Sequence, residues 1–325
     1  MSGRRILIDT DPGIDDAMAI FYALASPELE VVGLTTIFGN AATTICTTNA
    51  LRLLEIADRS DIPVAAGAVR PLAMEYRGPA DFVHGADGQG NAALPPPTST
   101  PVGVDAAHFI IDTVMASPGE ITLVPLGPLT NVALAMLIEP RLGANLAGMV
   151  LMGGNAFSAG NASPTAEANI INDPEAADIA FGADCPIVMC GLDVTERTFM
   201  SDAQIAAMGR VDNPRAQHLA RILPHYRDFY FRRLGMAGIW VHDSTTITYL
   251  LAPQLYEAVS MPIRVDTSHG ISRGKTWAAR GSSDREAPWA GRRPVTILTA
   301  VDADAAVELE LSRLGVSVGE QVSSE

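Results

Sequence analysis

Short apolar runs alternate along the chain with segments whose apolar positions recur at helical spacing, and Gly, Pro, Asn or Asp stands at most of the junctions. "RRILIDTD" reads as a strand, and after Pro12 the residues Ala17, Ile20, Phe21 and Leu24 predict a helix. "LEVVGLTTIFGN" repeats the strand and closes on Gly39-Asn40, and "ATTICTTNALRLLEIAD" repeats the helix. "GEITLVPLGPLTNVALAMLIEP" and then "LAGMVLMGG" with "DPEAADIAFG" do so again. Strands separated by helices pair in parallel and are covered on both faces, so the pattern predicts an α/β fold: a single open, mostly parallel sheet flanked by helices. With no repeat and no compositional break, residues 1–325 are expected to form one domain.

In such sheets ligands bind beyond the carboxyl ends of the strands. Those ends are polar here: Asp9 and Asp11, Asn40, the "PLGPLTN" turn at 125–131 and "MGGN" from Met152 all follow apolar runs. Two Gly- and Pro-rich stretches, 85–103 and 267–294, are long enough to be functional loops or lids. Some motifs fail on context. "GQGNAA" at 88–93 has the letters of a dinucleotide site but follows no strand and runs into Pro95, Pro96 and Pro97. "GISRGKT" at 270–276 resembles a P-loop with its glycines one residue too close, and reads as a turn.

Composition narrows the chemistry. A formal net charge of −15 argues against nucleic acid or an anionic membrane as a partner, because polyanion binding needs clustered Lys and Arg. No apolar run is long enough to span a bilayer and no signal peptide is evident, which predicts a cytoplasmic protein. Cys46, Cys185 and Cys190 have no zinc or disulfide spacing and read as buried thiols.

The segment "DTDPGIDD" at 9–16 packs four carboxylates into eight positions. On a strand Asp9 and Asp11 share a face, while Asp15 and Asp16 fall in the first turn of the next helix, where negative charge is favoured. Acids at a helix start are often mere caps. A helix dipole contributes only about 0.3–1 kcal/mol per charge, too little to hold four acids ionised together, so the cluster reads as a site for a hard divalent cation. Asp243 in "VHDS" and a main-chain carbonyl of the "PLGPLTN" turn are further candidate ligands, and all-oxygen ligands with room for substrate favour Ca²⁺.

These segments resemble the inosine-uridine-preferring nucleoside hydrolases nearly end to end: "DTDPGIDDAMAI" at 9–20, "GN" at 39–40, "HGADGQG" at 84–90, "VPLGPLTN" at 124–131, "GNASPTAEANI" at 160–170, "DPEAA" at 173–177 and "HD" at 242–243. The resemblance implies hydrolysis of the N-glycosidic bond of purine or pyrimidine ribonucleosides by a homodimer or homotetramer that holds Ca²⁺. It also implies that Asp11, Asp16, Asp243 and the carbonyl of Leu126 bind the ion, with Asp11 as general base, and that Asp15, Asn40, Asn161, Glu167 and Asn169 hold the ribose hydroxyls. Each has an ordinary structural alternative: Asn40 as a strand-end cap, Asn161 as a turn start, Glu167 as a solvated helix charge. Asp9 is expected to orient its neighbours rather than to bind the ion, and Asp173-Pro174 reads as an N-cap followed by Pro at the first helical position. Ala168 stands where many members carry an aromatic, and "HDS" replaces the commoner "HDP".

Cleaving a ribosyl–base bond leaves positive charge on the sugar and negative charge on the base. His242 is the candidate acid for the base, on the premise that imidazole titrates near neutral pH. His84, Met152, Tyr226 and Tyr230 are candidates to contact the base, although Tyr226 and Tyr230 in "HYRDFYF" equally fit a core-facing helix stripe. Rival readings are a metal-dependent phosphohydrolase with Asp9 as nucleophile, a phosphorylase, and a Ca²⁺- and nucleoside-binding protein without catalysis.

Overall fold

The computed structural model describes residues 3–281 and 287–317, so residues 282–286 of the 267–294 stretch lie outside the described residues. Among the described residues eleven strands are formed: β1 (Arg4–Thr10), β2 (Leu29–Thr36), β3 (Val64–Ala66), β4 (Thr122–Pro125), β5 (Gly148–Met152), β6 (Ile187–Cys190), β7 (Phe199–Ser201), β8 (Gly238–Trp240), β9 (Tyr256–Val265), β10 (Thr276–Ala278) and β11 (Pro294–Val301). Nine of them make one sheet in the order β10-β9-β11-β6-β5-β4-β1-β2-β3, and β7 pairs with β8 apart from it. From β3 to β11 neighbouring strands are parallel; β9 and β10 close one edge in antiparallel fashion.

The expected alternation holds. Side chains of β1 point to opposite faces in turn, so Ile6 and Ile8 enter one apolar core and Leu7 the other. All three are fully buried, a contribution of roughly 1.5–3 kcal/mol each. The first core includes helices Ile14–Leu24, Pro214–Leu234 and Ser244–Leu251; the second includes Ala106–Ala116, Thr130–Ile138 and Pro174–Ala180. Asp173 caps the last of these, accepting from Ala176 N with Pro174 at the helix start, as expected. The three cysteines are buried free thiols. No described helix is long and apolar enough to cross a membrane.

Two features of this frame place the site. β1 is the strand from which the chain winds outward to β2 and β3 on one side, whereas β4 to β6 follow on the other, so a crevice opens at its carboxyl end. Helix Ile14–Leu24 packs against helix Ser244–Leu251, and both begin at the site, with Asp15 and Asp16 in the first turn of one and Asp243 at the N-cap of the other. Two positive helix ends therefore face the same carboxylates.

Candidate functional site

Carboxylate oxygens of Asp15, Asp16 and Asp243 lie within 4.8 Å of one another, all three residues buried. Asp16 is held by the Thr10 hydroxyl, by Gly13 N at 2.9 Å and by Asn40 Nδ2 at 2.9 Å. The Gly13 contact is the reciprocal bond of a helix cap, so the ordinary capping reading accounts for part of Asp16's position. It does not account for the rest. Asp11 Oδ2 accepts from Asn40 N at 2.7 Å, but Asp11 Oδ1 and Asp15 Oδ1 are buried and accept no hydrogen bond. Asp243 lies within hydrogen-bond reach of Asp16, and the groups pressing on it are Asp15, Asp16 and Asp11.

Burial raises every one of these acids. Asp15 and Asp16 are pushed up to about 6, and Asp11 and Asp243 rise well above the usual carboxylate range, by desolvation first and, for Asp11, Asp16 and Asp243, by repulsion from neighbouring carboxylates. Neighbouring carboxyls in a dry site must share protons or a cation. The all-oxygen donor set and the two unpartnered oxygens fit a hard metal ion.

Asp9 and Asp11 were expected on one face, but β1 ends at Thr10 and strand alternation no longer governs Asp11. Asp9 is fully buried, and its Oδ1 accepts from Thr35 Oγ1 at 2.6 Å and Asn131 Nδ2 at 2.8 Å. These two bonds hold Asp9 as the orienting residue it was expected to be, rather than as the nucleophile of a phosphohydrolase. Asn131 also accepts from Ala68 N, tying β1 to the loop after β3.

The residues expected on ribose split into two groups. Asn40 spends both its backbone N–H and its side-chain amide on Asp11 and Asp16. Glu167 is buried rather than solvated, correcting the helix-charge alternative: it caps helix Ala168–Asn172, accepting from Gly154 N, Asn169 N and Ile170 N. Desolvation raises its pKa while these backbone N–H groups oppose the rise. Asn169 Nδ2 donates to Leu126 O at 2.7 Å and Met152 O at 3.2 Å, which gathers the ends of β4 and β5 around one amide. Asn161 is exposed, and its Oδ1 accepts from Ala168 N.

A line of hydroxyls and imidazole crosses the other side. Tyr226 OH donates to Asp15 Oδ2 at 3.2 Å and lies 3.3 Å from Tyr230 OH, which lies 2.8 Å from His242 Nε2; Thr195 Oγ1 is 2.8 Å from His242 Nδ1. Tyr226 and Tyr230 pack in the first core, as the helix stripe predicts, and their hydroxyls reach Asp15 and His242. His84 stacks on Tyr226 with centroids 5.5 Å apart, and its Nδ1 accepts from Ile14 N at 3.2 Å. Burial depresses both His84 and His242 to about 4. The premise that His242 titrates near neutrality is thus corrected, because a buried imidazolium lacks the hydration that stabilises it in water. Thr195, Thr35, Asn131 and the glycines beside Asp11 were not singled out from sequence; only the "PLGPLTN" and "GN" motifs hinted at the last two.

Residues 6–308 match the family model for inosine-uridine preferring nucleoside hydrolases. The chain is 43% identical over 314 residues to "Probable uridine nucleosidase 2" of Arabidopsis thaliana, covering 96% of this chain and 97% of that protein. Its fold superposes on a plant nucleoside hydrolase with a TM-score of 0.92 at 39% identity, covering 96% of this chain and 98% of the other. It superposes on a purine-preferring ribonucleoside hydrolase from Gardnerella vaginalis with a TM-score of 0.89 at 28% identity, covering 95% and 98%.

Proposed function

The chain belongs to the inosine-uridine-preferring nucleoside hydrolase family, and we propose that it hydrolyses ribonucleosides to free base and ribose at the carboxyl end of β1. The observation that supports this most is the convergence there of Asp11, Asp15, Asp16 and Asp243 with buried oxygens lacking partners. Asp11, Asp16, Asp243 and the Leu126 carbonyl would hold Ca²⁺, with Asp15 close enough to join them. Bound there, the ion would offset the carboxylate charge and supply Lewis acidity toward water and the sugar hydroxyls.

The remaining chemistry belongs to the side chains. Asp11 accepts the proton of the attacking water through an oxygen that is otherwise unengaged. The water oxygen bonds to the anomeric carbon as the bond to the base nitrogen breaks, and direct attack inverts that carbon. The buried carboxylates favour the positive charge developing on the ribosyl ring. Asp15, Asn40, Asn161, Glu167 and Asn169 would hold the ribose hydroxyls. The departing base takes a proton from the line that His242, neutral at pH 7, shares with Tyr230 and Tyr226, and the proton that Asp11 took from the water restores that line. Met152 and His84 flank the base. The enzyme works in this reading as a cytoplasmic homodimer or homotetramer.

The test is a panel of purine and pyrimidine ribosides assayed in phosphate-free buffer, with uridine first because a 43% identical relative is named for it. Reducing sugar should appear without phosphate and stop on chelation. Turnover that requires added phosphate would convert the reading to phosphorolysis, and no sugar from any riboside would end it.

A further inference from the structure

The P-loop look-alike "GISRGKT" lies in the hairpin loop between β9 and β10, and its Lys275 is the only lysine of the chain. That lysine is 8% exposed. Its Nζ donates to the carbonyls of Asn155 and of Ser158, the latter at 3.0 Å, and sits 5.9 Å from the centre of the Trp277 ring. The next residue grips the same peptide from its other end: Thr276 Oγ1 accepts from Asn155 N at 2.8 Å. One residue's backbone is thus held at both its N–H and its C=O by consecutive side chains of a hairpin about 120 positions away in sequence.

What is held leads to the sugar-facing residues. Gly154, adjacent to Asn155, donates its N–H to Glu167 Oε2 at 2.9 Å. Asn155 Nδ2 bridges Ser158 O and Thr165 O, both at 3.0 Å, and Thr165 Oγ1 donates back to Ile271 O in the hairpin. Gly274 has φ +82° and comes so close to Ile171 and Ala166 that a Cβ there would lie 3.0 Å from Ile171 Cα. Arg273 stiffens the hairpin loop by pairing with both oxygens of Glu175 at 2.8 Å.

We infer that Lys275 and Thr276 are positioning residues: they clamp the 154–167 loop so that Glu167 and Asn161 are presented to the ribose. A lysine buried against carbonyls costs desolvation unless its donors are used, and here the charge-assisted bonds fix a loop that has no secondary structure of its own. The inference rests on the hydrolase reading for its substrate, and on the geometry alone for the clamp.

The test uses the full-length enzyme with Lys275→Met and, separately, Thr276→Val, which removes the acceptor with little change in volume. Amide hydrogen exchange should accelerate across 154–170 in both variants and stay unchanged in β1 and β4. With uridine, kcat/KM should fall roughly tenfold, and the loss should shrink toward unity on whichever of 2′-, 3′- or 5′-deoxyuridine lacks the hydroxyl that the loop grips. Unchanged exchange in both variants, or one equal penalty on uridine and all three deoxyuridines, would overturn the clamp. If Lys275→Met does not fold, Thr276→Val carries both measurements. Should the wild-type enzyme cleave no riboside, the hydrolase reading falls, and the exchange data still decide whether the clamp exists.

Discussion

Tyr230 OH lies 2.8 Å from His242 Nε2, and both groups are buried. With Thr195 on Nδ1, both ring nitrogens have a hydroxyl partner, so the ring is fixed in place and its single proton has a defined line to travel. Burial holds His242 down to about 4, so it carries no charge at pH 7, and in the proposed reaction it relays a proton along its contact with Tyr230.

That arrangement predicts a dependence on the leaving group. His242→Ala should lower kcat for uridine by about 10²-fold or more, and Tyr230→Phe by roughly tenfold. Both variants should act almost normally on p-nitrophenyl riboside, whose leaving group needs no proton. A steady-state comparison of the two substrates decides it: equal losses on both would remove the pair from the leaving-group side. The same pKa direction predicts that His242 contributes no inflection near pH 6.5 to the wild-type profile.

Asp11 is walled by two glycines, and substitution at either should dislodge it. A Cβ on Gly39 would collide with Asp11 Oδ2 and one on Gly127 with Asp11 Oδ1, and Gly39 also has φ +155°. Neither carboxylate oxygen can give way without leaving the cluster. Gly39→Ala and Gly127→Ala should each reduce kcat by about 10²-fold or more, as misplacement of a reacting group does. Circular dichroism should show retained secondary structure, and rates within threefold of wild type would show that Asp11 tolerates displacement.

Much of this was legible in the sequence because strand and helix periods differ. The alternation of apolar runs gave the parallel sheet, and four acids at a strand end gave the cation-type site. The divergence of Asp9 from Asp11 was not legible, since it depends on β1 ending at Thr10, one residue before the second acid. Nor was the state of His242: residue type suggests a group that titrates near neutrality, and only its surroundings reveal its burial between Thr195 and Tyr230. The clamp on Asn155 was hidden for a related reason, as it joins residues far apart in sequence through carbonyls that every residue possesses. "GISRGKT" was read correctly as a turn, and its purpose emerges only from what the turn touches.

Removal of the cation should make stability depend on pH in a direction set by the site carboxyls. Asp9 is raised to about 7, Asp15 and Asp16 to about 6, and Asp11 and Asp243 well above 3.8, all chiefly by desolvation. Between the unfolded value near 3.8 and these folded values the native state binds more protons, so stability falls as pH rises through that window. His84, His218 and His242, depressed to about 4, act oppositely, destabilising the fold as pH drops from 6.5 toward 4. On raising the pH of the chelated protein from about 5 to about 7 the carboxyls lose stability and the imidazoles regain it, so the carboxyl part is isolated by comparing the protein with and without the ion. Ca²⁺ requires the ionised acids and should cancel that loss, so the rise in Tm on adding it should be larger at pH 7 than at pH 5. At about 100 times its dissociation constant the ion contributes about 2.7 kcal/mol, a shift of several degrees by differential scanning calorimetry. An equal shift at both pH values, or none at either, would mean that Asp11, Asp15, Asp16 and Asp243 do not share a cation.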